Sequence, residues 1–270
     1  KIDKKNILDL SNVYKNHVVI KVKYSNLNFK DHLIAKGHKG LVRTFPHTPG
    51  IDAAGEVYFS NSRKFKNKEN VYVIAKPLGV ETNGGFSEFI VIKDKWINKV
   101  PKNLSLKKIM MIGTSGFTAL KAFKKSEKII KKFSNKPVLI TAPTSNVGLF
   151  LIFLLKNINI NLEVVTSKSK NINRLKKLGI KKVYLVKNFI KNNNYSLLNE
   201  KYSVVFDNVG GEVLSNSIKY LAKNGVLISI GNILDNYSTI NVLPLILRGV
   251  QIIGINSENS SKQEWNYFFS

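Results

Sequence analysis

The stretch that decides the fold is Lys136-Pro-Val-Leu-Ile-Thr-Ala-Pro-Thr-Ser-Asn-Val-Gly148, with the apolar run 149–155 directly after it. Residues 138–140 are β-branched or apolar, the pattern of a short buried strand. Residues 141–146 are small and polar, and Pro143 stops either a strand or a helix from running through them. From Val147 the apolar positions crowd into a helix-length segment. Strand, tight turn and helix in this order make the first unit of a dinucleotide-binding sheet. There the N–H groups of the helix's first turn, aided by its dipole, hold a pyrophosphate. The same stretch is equally compatible with an ordinary α/β turn that holds nothing. Of the usual glycine fingerprint only Gly148 is present, in the place of the third glycine.

Downstream of this stretch the pattern alternates strictly. Strands are expected at 162–165, 182–185, 203–206, 225–230 and 250–255, with helices at 147–156, 171–178 and 213–220. Strands alternating with helices argue for an α/β fold whose doubly wound parallel sheet carries helices on both faces. The Asn-rich stretch 187–201 reads as a mobile, low-complexity loop. Upstream, helical spacing covers 104–112 and 120–133, with a small-residue break at 113–119. Residues 1–113 read as strand and loop. Strands at 17–24, 68–74 and 84–92 and a short helix at 31–35 are separated by Gly and Pro turns, which suggests a small barrel-like β domain.

Composition removes several classes of function. With 270 residues and 43% hydrophobic content the chain can bury a core. It has no apolar run of membrane-spanning length and no signal-peptide core at its start. There is no cysteine, which removes disulfides, thiolate nucleophiles and cysteine-containing zinc sites. Four histidines remain without a metal-ligand spacing, so no metal is expected. These features together suit a cytoplasmic protein. The formal charge of +26 invites a nucleic-acid reading. The lysines, however, are spread through the chain, arginine is limited to Arg43, Arg63, Arg174 and Arg248, and no nucleic-acid motif is present. A basic surface suits a polyanionic small molecule equally well, such as a phosphorylated cofactor or coenzyme A.

In a dinucleotide-binding sheet the second strand ends beside the adenosine ribose. Here 162–165 runs into Thr166-Ser-Lys-Ser-Lys170, with no carboxylate at the tip. Hydroxyls of Thr166 and Ser167 with the charge of Lys168 favour a 2′-phosphate, hence NADP over NAD. A solvated basic loop explains the same residues. Asp207-Asn-Val-Gly-Gly211 and Ser229-Ile-Gly231 follow later strands, where small residues let a cofactor approach the backbone. Asn208, Gly231 and Asn232 are the candidates there, and Ser145, Asn146, Val147 and Gly148 are those at the pyrophosphate.

Several blocks carry a specific resemblance. They are Tyr24-Ser-Asn-Leu-Asn-Phe-Lys-Asp31, Phe45-Pro-His-Thr-Pro-Gly-Ile-Asp-Ala-Ala-Gly55, Gly84-Gly-Phe-Ser-Glu-Phe89, Met111-Ile-Gly-Thr-Ser-Gly-Phe-Thr-Ala119 and Leu247-Arg-Gly-Val-Gln-Ile-Ile-Gly-Ile-Asn-Ser257. The chain resembles the medium-chain dehydrogenase/reductase superfamily, and within it the zinc-free acryloyl-CoA reductase and quinone-oxidoreductase-like group. The resemblance implies a GroES-like catalytic domain over 1–113 and a Rossmann NADP-binding domain over 114–256. Residues 257–270 then start the return to the first domain. On that template the N-terminus is incomplete and the closing strands are absent. Zinc enzymes of the superfamily have cysteine where Asn28 stands and histidine where Ile51 stands, so the metal is expected to be missing. The nucleotide turn departs from the family, with Ala142, Ser145 and Asn146 in place of glycines; Asn tolerates φ > 0 better than most residues, and Ala and Ser are small.

The implied reaction is NADPH-dependent reduction of the C=C bond of an α,β-unsaturated acyl-CoA, acryloyl-CoA to propanoyl-CoA, in a homodimer. Asn28 is the expected hydrogen-bond donor near the nicotinamide and the substrate carbonyl. Asp31 and Asp52 would order the site or relay a proton, with Lys30 balancing their charge, and Thr114 and Thr118 would contact the nicotinamide end. Plain structural roles compete with these: a helix cap for Asp31, a turn residue for Asp52, a helix hydroxyl for Thr118. The alternatives are reduction of a quinone or another enone, and, in a different class, a non-catalytic cofactor- or RNA-binding relative.

Overall fold

The computed structural model describes residues 15–191, 194–258, 260 and 264–265. Two compact units emerge, Lys1–Phe117 with Ser257–Ser270, and Thr118–Asn256. No helix among the described residues is long and apolar enough to cross a membrane.

The first unit is built on β1 (His17–Tyr24), β2 (Ala53–Ser60), β3 (Asn70–Val73), β4 (Phe89–Lys93) and β5 (Asn98–Lys99), with α1 (Phe29–Ala35) after β1. The strands form one antiparallel sheet in the order β4-β1-β2-β3-β5. Its period-2 alternation is plain in β1. Val18 and Ile20 enter a core with Val57, Val71, Val73, Ile90 and Ile92, while Val19 faces the other way against Phe89. Antiparallel pairing needs only short connections, which is why so many Gly and Pro turns fit into this part of the chain.

The helix α2 (Leu106–Lys132) follows, with one interruption. Gly113 alone leaves helical geometry, at φ 54° and ψ −165°. The expected break at 113–119 is therefore a single-residue kink. Small residues after it stay helical because the packing of Phe117 and Ala119 outweighs their weak propensity.

The second unit alternates β6 (Val138–Thr141), α3 (Asn146–Asn157), β7 (Leu162–Thr166), α4 (Asn171–Lys177), β8 (Lys182–Leu185), α5 (Val186–Phe189), β9 (Tyr202–Asp207), α6 (Gly211–Lys219), β10 (Leu221–Ser229), α7 (Leu243–Arg248) and β11 (Gln251–Gly254). All six strands are parallel, in the order β11-β10-β9-β6-β7-β8. Val138 and Ile140 of β6 face one core, with Leu151 and Leu155 of α3, and Leu139 faces the other, with Val205 and Val213. Burial on both faces explains the continuous apolar runs. The chain reverses its direction of strand addition between β6 and β9, which opens a crevice at their carboxyl ends.

Two further expectations change. The stretch 187–201 holds the helix α5 with Phe189 buried, and it is pinned further on. There the Leu198 amide donates to Lys219 O at 3.1 Å and the Lys201 amide to Tyr220 O at 2.8 Å. Residues 192 and 193 lie outside the described residues. β10 begins at Leu221, four residues early, because a register shift with Asn224 at φ 59° carries the strand across a polar stretch. The short helices α5 and α7 have no periodic signal of useful length in the sequence.

Candidate active site and nucleotide site

In the first unit, Asp52 is fully buried just before β2. Its Oδ1 accepts from Thr114 Oγ1 at 2.5 Å, and its Oδ2 accepts from the Thr114 amide at 2.9 Å and from Asn28 Nδ2 at 3.0 Å. The kink at Gly113 makes this possible. It turns the chain so that the first amide of the second helical run meets the carboxylate, which then acts as an anion at a helix start. A side chain at Gly113 would place Cβ 2.7 Å from Asp52 Oδ2. Burial pushes the Asp52 carboxyl up to about 6, against the pull of its donors, and the charge of Asp31 adds to the rise.

Asn28 is buried and held at both ends of its carboxamide: Nδ2 gives to Asp52, and Oδ1 accepts from Ser115 Oγ at 2.9 Å. Thr114 Oγ1 also accepts from the Ala75 amide at 2.7 Å, and Ser25 Oγ donates to Asp52 O at 2.6 Å. Ser115 and Ser25 were not singled out from the sequence. Each sits inside a specific block, but a serine there reads as a small helix or turn residue until the fold brings it to Asn28 or Asp52.

Asp31 closes a second set of bonds. Its Oδ2 accepts from the Asn28 amide at 2.8 Å, and its Oδ1 accepts from the Gly50 and Ile51 amides, both at 2.9 Å. It therefore caps α1 and fixes the turn ahead of Asp52. Lys30 does not balance these acids; its Nζ lies 2.6 Å from Glu258 Oε1. Ile51 packs in an apolar cluster with Ile34 and Val42, so an apolar side chain fills the place of a zinc-binding histidine.

In the second unit the turn between β6 and α3 keeps its shape without most of its glycines. The left-handed residue is Ala142, at φ 46°, and not Asn146, which is the first residue of α3. Ser145 caps the helix: its Oγ accepts from the Gly148 amide at 3.1 Å and donates to Ala142 O at 2.8 Å. One first-turn amide is thus already taken by the protein, and those of Asn146 and Val147 precede it. Gly148 must stay glycine, since a Cβ there would lie 2.5 Å from Ala142 O. The helix start lies close against the strand end, as a pyrophosphate cradle requires.

The other candidates divide. Thr166 is buried at the end of β7, with its Oγ1 accepting from the Lys168 amide at 3.4 Å, while Ser167 and Lys168 are exposed. Asn171 Nδ2 donates to Thr144 Oγ1 at 3.2 Å, which ties this loop to the nucleotide turn. The one carboxylate of β7, Glu163, lies at the strand's other end, bound by Lys201, Tyr184 and Tyr202. At the crevice, Thr141 Oγ1 donates to Asp207 Oδ1 at 2.8 Å, and Asn208 donates through its amide to Thr141 Oγ1 and through Nδ2 to Thr141 O. Asn208 therefore locks β9 to β6. Gly231 approaches Asn208 closely, Asn232 is exposed and bonded to Asn236, and Thr118 is buried on α2.

Comparison with known proteins agrees with this architecture. Residues 14–102 match the alcohol dehydrogenase GroES-like domain, and residues 146–269 match the family described as zinc-binding dehydrogenase. The chain is 32% identical over 243 residues to the putative quinone oxidoreductase YhfP of Bacillus subtilis, covering 90% of this chain and 74% of that protein. It is 28% identical over 250 residues to the acrylyl-CoA reductase AcuI of Ruegeria pomeroyi, covering 93% and 76%. Among solved structures, Escherichia coli YhdH with bound NADPH superposes with a TM-score of 0.90 at 26% identity, over 100% of this chain and 81% of that one. Bacillus subtilis YhfP with NAD bound gives 0.85 at 30%, over 95% and 78%. With both of its sheets matched, and an asparagine and an isoleucine where a zinc enzyme carries ligands, this chain belongs to the medium-chain dehydrogenase/reductase superfamily as an oxidoreductase of the zinc-free, quinone-oxidoreductase-like and acrylyl-CoA reductase-like group.

Proposed function

We propose that the chain reduces the C=C bond of an α,β-unsaturated acyl-CoA, acryloyl-CoA to propanoyl-CoA, with NADPH and without a metal. The observation that carries this reading is the bonded trio of buried Asn28 and Asp52 with half-buried Thr114, a proton-holding acid next to an oriented amide. A reduced nicotinamide, when bound, supplies a hydride for the β-carbon. Asn28 then provides the electrostatics. One of its Nδ2 hydrogens rests on Asp52, and the second would meet the thioester oxygen as negative charge develops there. Ser145 to Gly148 would carry the pyrophosphate, and Thr166, Ser167 and Lys168 the 2′-phosphate. The NADPH bound in Escherichia coli YhdH supports this choice, while the NAD in Bacillus subtilis YhfP belongs to a relative of the same fold.

A second reading, reduction of a quinone, is favoured by the description of the YhfP relative at 32% identity. The two separate in one assay, in which NADPH oxidation is followed after adding acryloyl-CoA or a benzoquinone. Acryloyl-dependent oxidation with little rate from NADH supports the proposal. Turnover of the quinone alone would reject the thioester. Retention on RNA without thermal protection by NADPH would reject both. We also propose a homodimer contact along β11, an edge strand that pairs only with β10 among the described residues, where Ile246, Leu247 and Ile252 are exposed.

A further inference from the structure

Reduction of an enoyl thioester leaves a carbanion equivalent at the α-carbon, and something must protonate it. We propose that the Thr114 hydroxyl delivers that proton, drawing on the Asp52 carboxyl behind it as the reservoir. The inference rests on the enone-reductase reading above.

The geometry argues for a pair rather than for either group alone. Asp52 is fully buried and cannot touch a substrate. Thr114 is half-buried, and its Oγ1 lies 2.5 Å from Asp52 Oδ1. That separation suits a hydrogen bond in either direction. With Asp52 ionised, the hydroxyl donates to the carboxylate. With Asp52 protonated, the carboxyl donates to the hydroxyl, and the hydroxyl's own hydrogen turns away from it. The Ala75 amide, donating to the same oxygen at 2.7 Å, fixes the oxygen's position in both states. Thr114 also holds Asp52 through its backbone amide, so reservoir and delivery group come from one residue's contacts.

The step balances as follows. Two electrons arrive with the hydride, the β-carbon gains a C–H bond, and the former π pair becomes an enolate. As the α-carbon takes the Thr114 hydrogen, the Thr114 O–H bond breaks, and it re-forms with the proton from Asp52 Oδ1. Asp52 is left ionised and recovers its proton from solvent through the same hydroxyl after product leaves. The net requirement is one hydride and one solvent proton per double bond.

The acid needs its proton at working pH, and burial supplies that condition by holding Asp52 up at about 6. The charged group facing it, among the described residues, is Asp31 before the turn. α2 presents Thr114 and Ser115, and the loop after β1 presents Ser25 and Asn28, none of which titrates near neutrality. With Asp52 as the acid, kcat falls about tenfold per unit as pH rises above 6.

The test compares the intact protein with Thr114→Val and Thr114→Ser. NADPH binding is followed by thermal shift, and acryloyl-CoA reduction is followed from pH 5 to pH 8, a range set about the Asp52 value. Thr114→Val keeps the size and removes the hydroxyl; Thr114→Ser restores it and controls for folding. The proposal expects NADPH binding by all three, kcat down about 100-fold in Thr114→Val with the falling limb flattened, and Thr114→Ser within about threefold of the parent with the limb intact. Wild-type turnover with Thr114→Val equally fast and the same pH limb overturns the relay and leaves the reductase reading standing. NADPH binding without any wild-type turnover of enones overturns both.

Discussion

Replacing Gly113 by alanine tests whether the kink in α2 exists to bring Thr114 onto Asp52. At φ 54° and ψ −165° the residue sits where only glycine is at ease, so an alanine there costs about 1–3 kcal/mol in backbone strain. The new Cβ would also lie 2.5 Å from Asn26 Nδ2 and 2.7 Å from Asp52 Oδ2. Asn26 is the end of a half-buried side chain and can swing aside. Asp52 is held by three donors and cannot, so retreat would stretch the bonds from the Thr114 amide and Asn28, a loss of about 1–3 kcal/mol. The sum is about 4 kcal/mol, or roughly 10 °C in the melting temperature of the unit that contains it. Gly37 is the control. It too has positive φ, but a Cβ there meets nothing within 4 Å, so Gly37→Ala should cost only about 1 kcal/mol of strain. Calorimetry of both variants beside the parent reads the difference. If Gly113→Ala melts within about a degree of Gly37→Ala, the contact with Asp52 is not what demands the glycine.

Asp52 should make stability depend on pH in an unusual direction. Its carboxyl is raised from 3.8 to about 6, so the folded state binds the proton more tightly than the unfolded chain. The stability this confers is complete below pH 3.8, is lost as pH rises towards 6, and changes no further above it, a total of about 3 kcal/mol. Urea melts of the parent and Asp52→Asn from pH 4 to pH 7 should diverge by that amount, and parallel curves would contradict the burial argument. Lys168→Glu places a carboxylate beside Thr166 and Ser167 and should weaken NADPH at least about tenfold while sparing NADH. An equal effect on both cofactors would show that the loop does not read the 2′-phosphate. Arg248 donates to the carbonyls of Leu198, Lys219 and Leu221. Arg248→Met removes those three bonds, leaving Lys219 O with the Leu198 amide, and should lower stability by about 2–4 kcal/mol in chemical denaturation. A loss below about 1 kcal/mol would mean that water replaces the guanidinium.

The alternating half of the chain was the most legible. A parallel strand buried on both faces must be apolar along its whole length, so β6, β7 and β9 announce themselves in runs such as 138–140 and 203–206. The candidate site residues are legible as members of motifs, not as partners. Asn28, Asp31, Asp52 and Thr114 could be named, but nothing in their spacing says that Asp31 binds the amides at 50 and 51 while Asp52 binds Thr114. The partner of Lys30 is hidden for the same reason, since Glu258 lies 228 positions away along the chain.

From the amino acids alone came the six strands of the parallel sheet with three of the helices between them, the absence of thiol chemistry, and the motifs of a nicotinamide-dependent oxidoreductase. These follow from periodicity and composition, which are local properties. Tertiary structure decided which donors converge on Asp52, that Ala142 takes the left-handed turn, and that Ser145 spends its hydroxyl on capping Gly148. Burial and hydrogen-bond pairing depend on residues far apart in the chain, and a buried carboxylate acquires its proton affinity only once those residues enclose it.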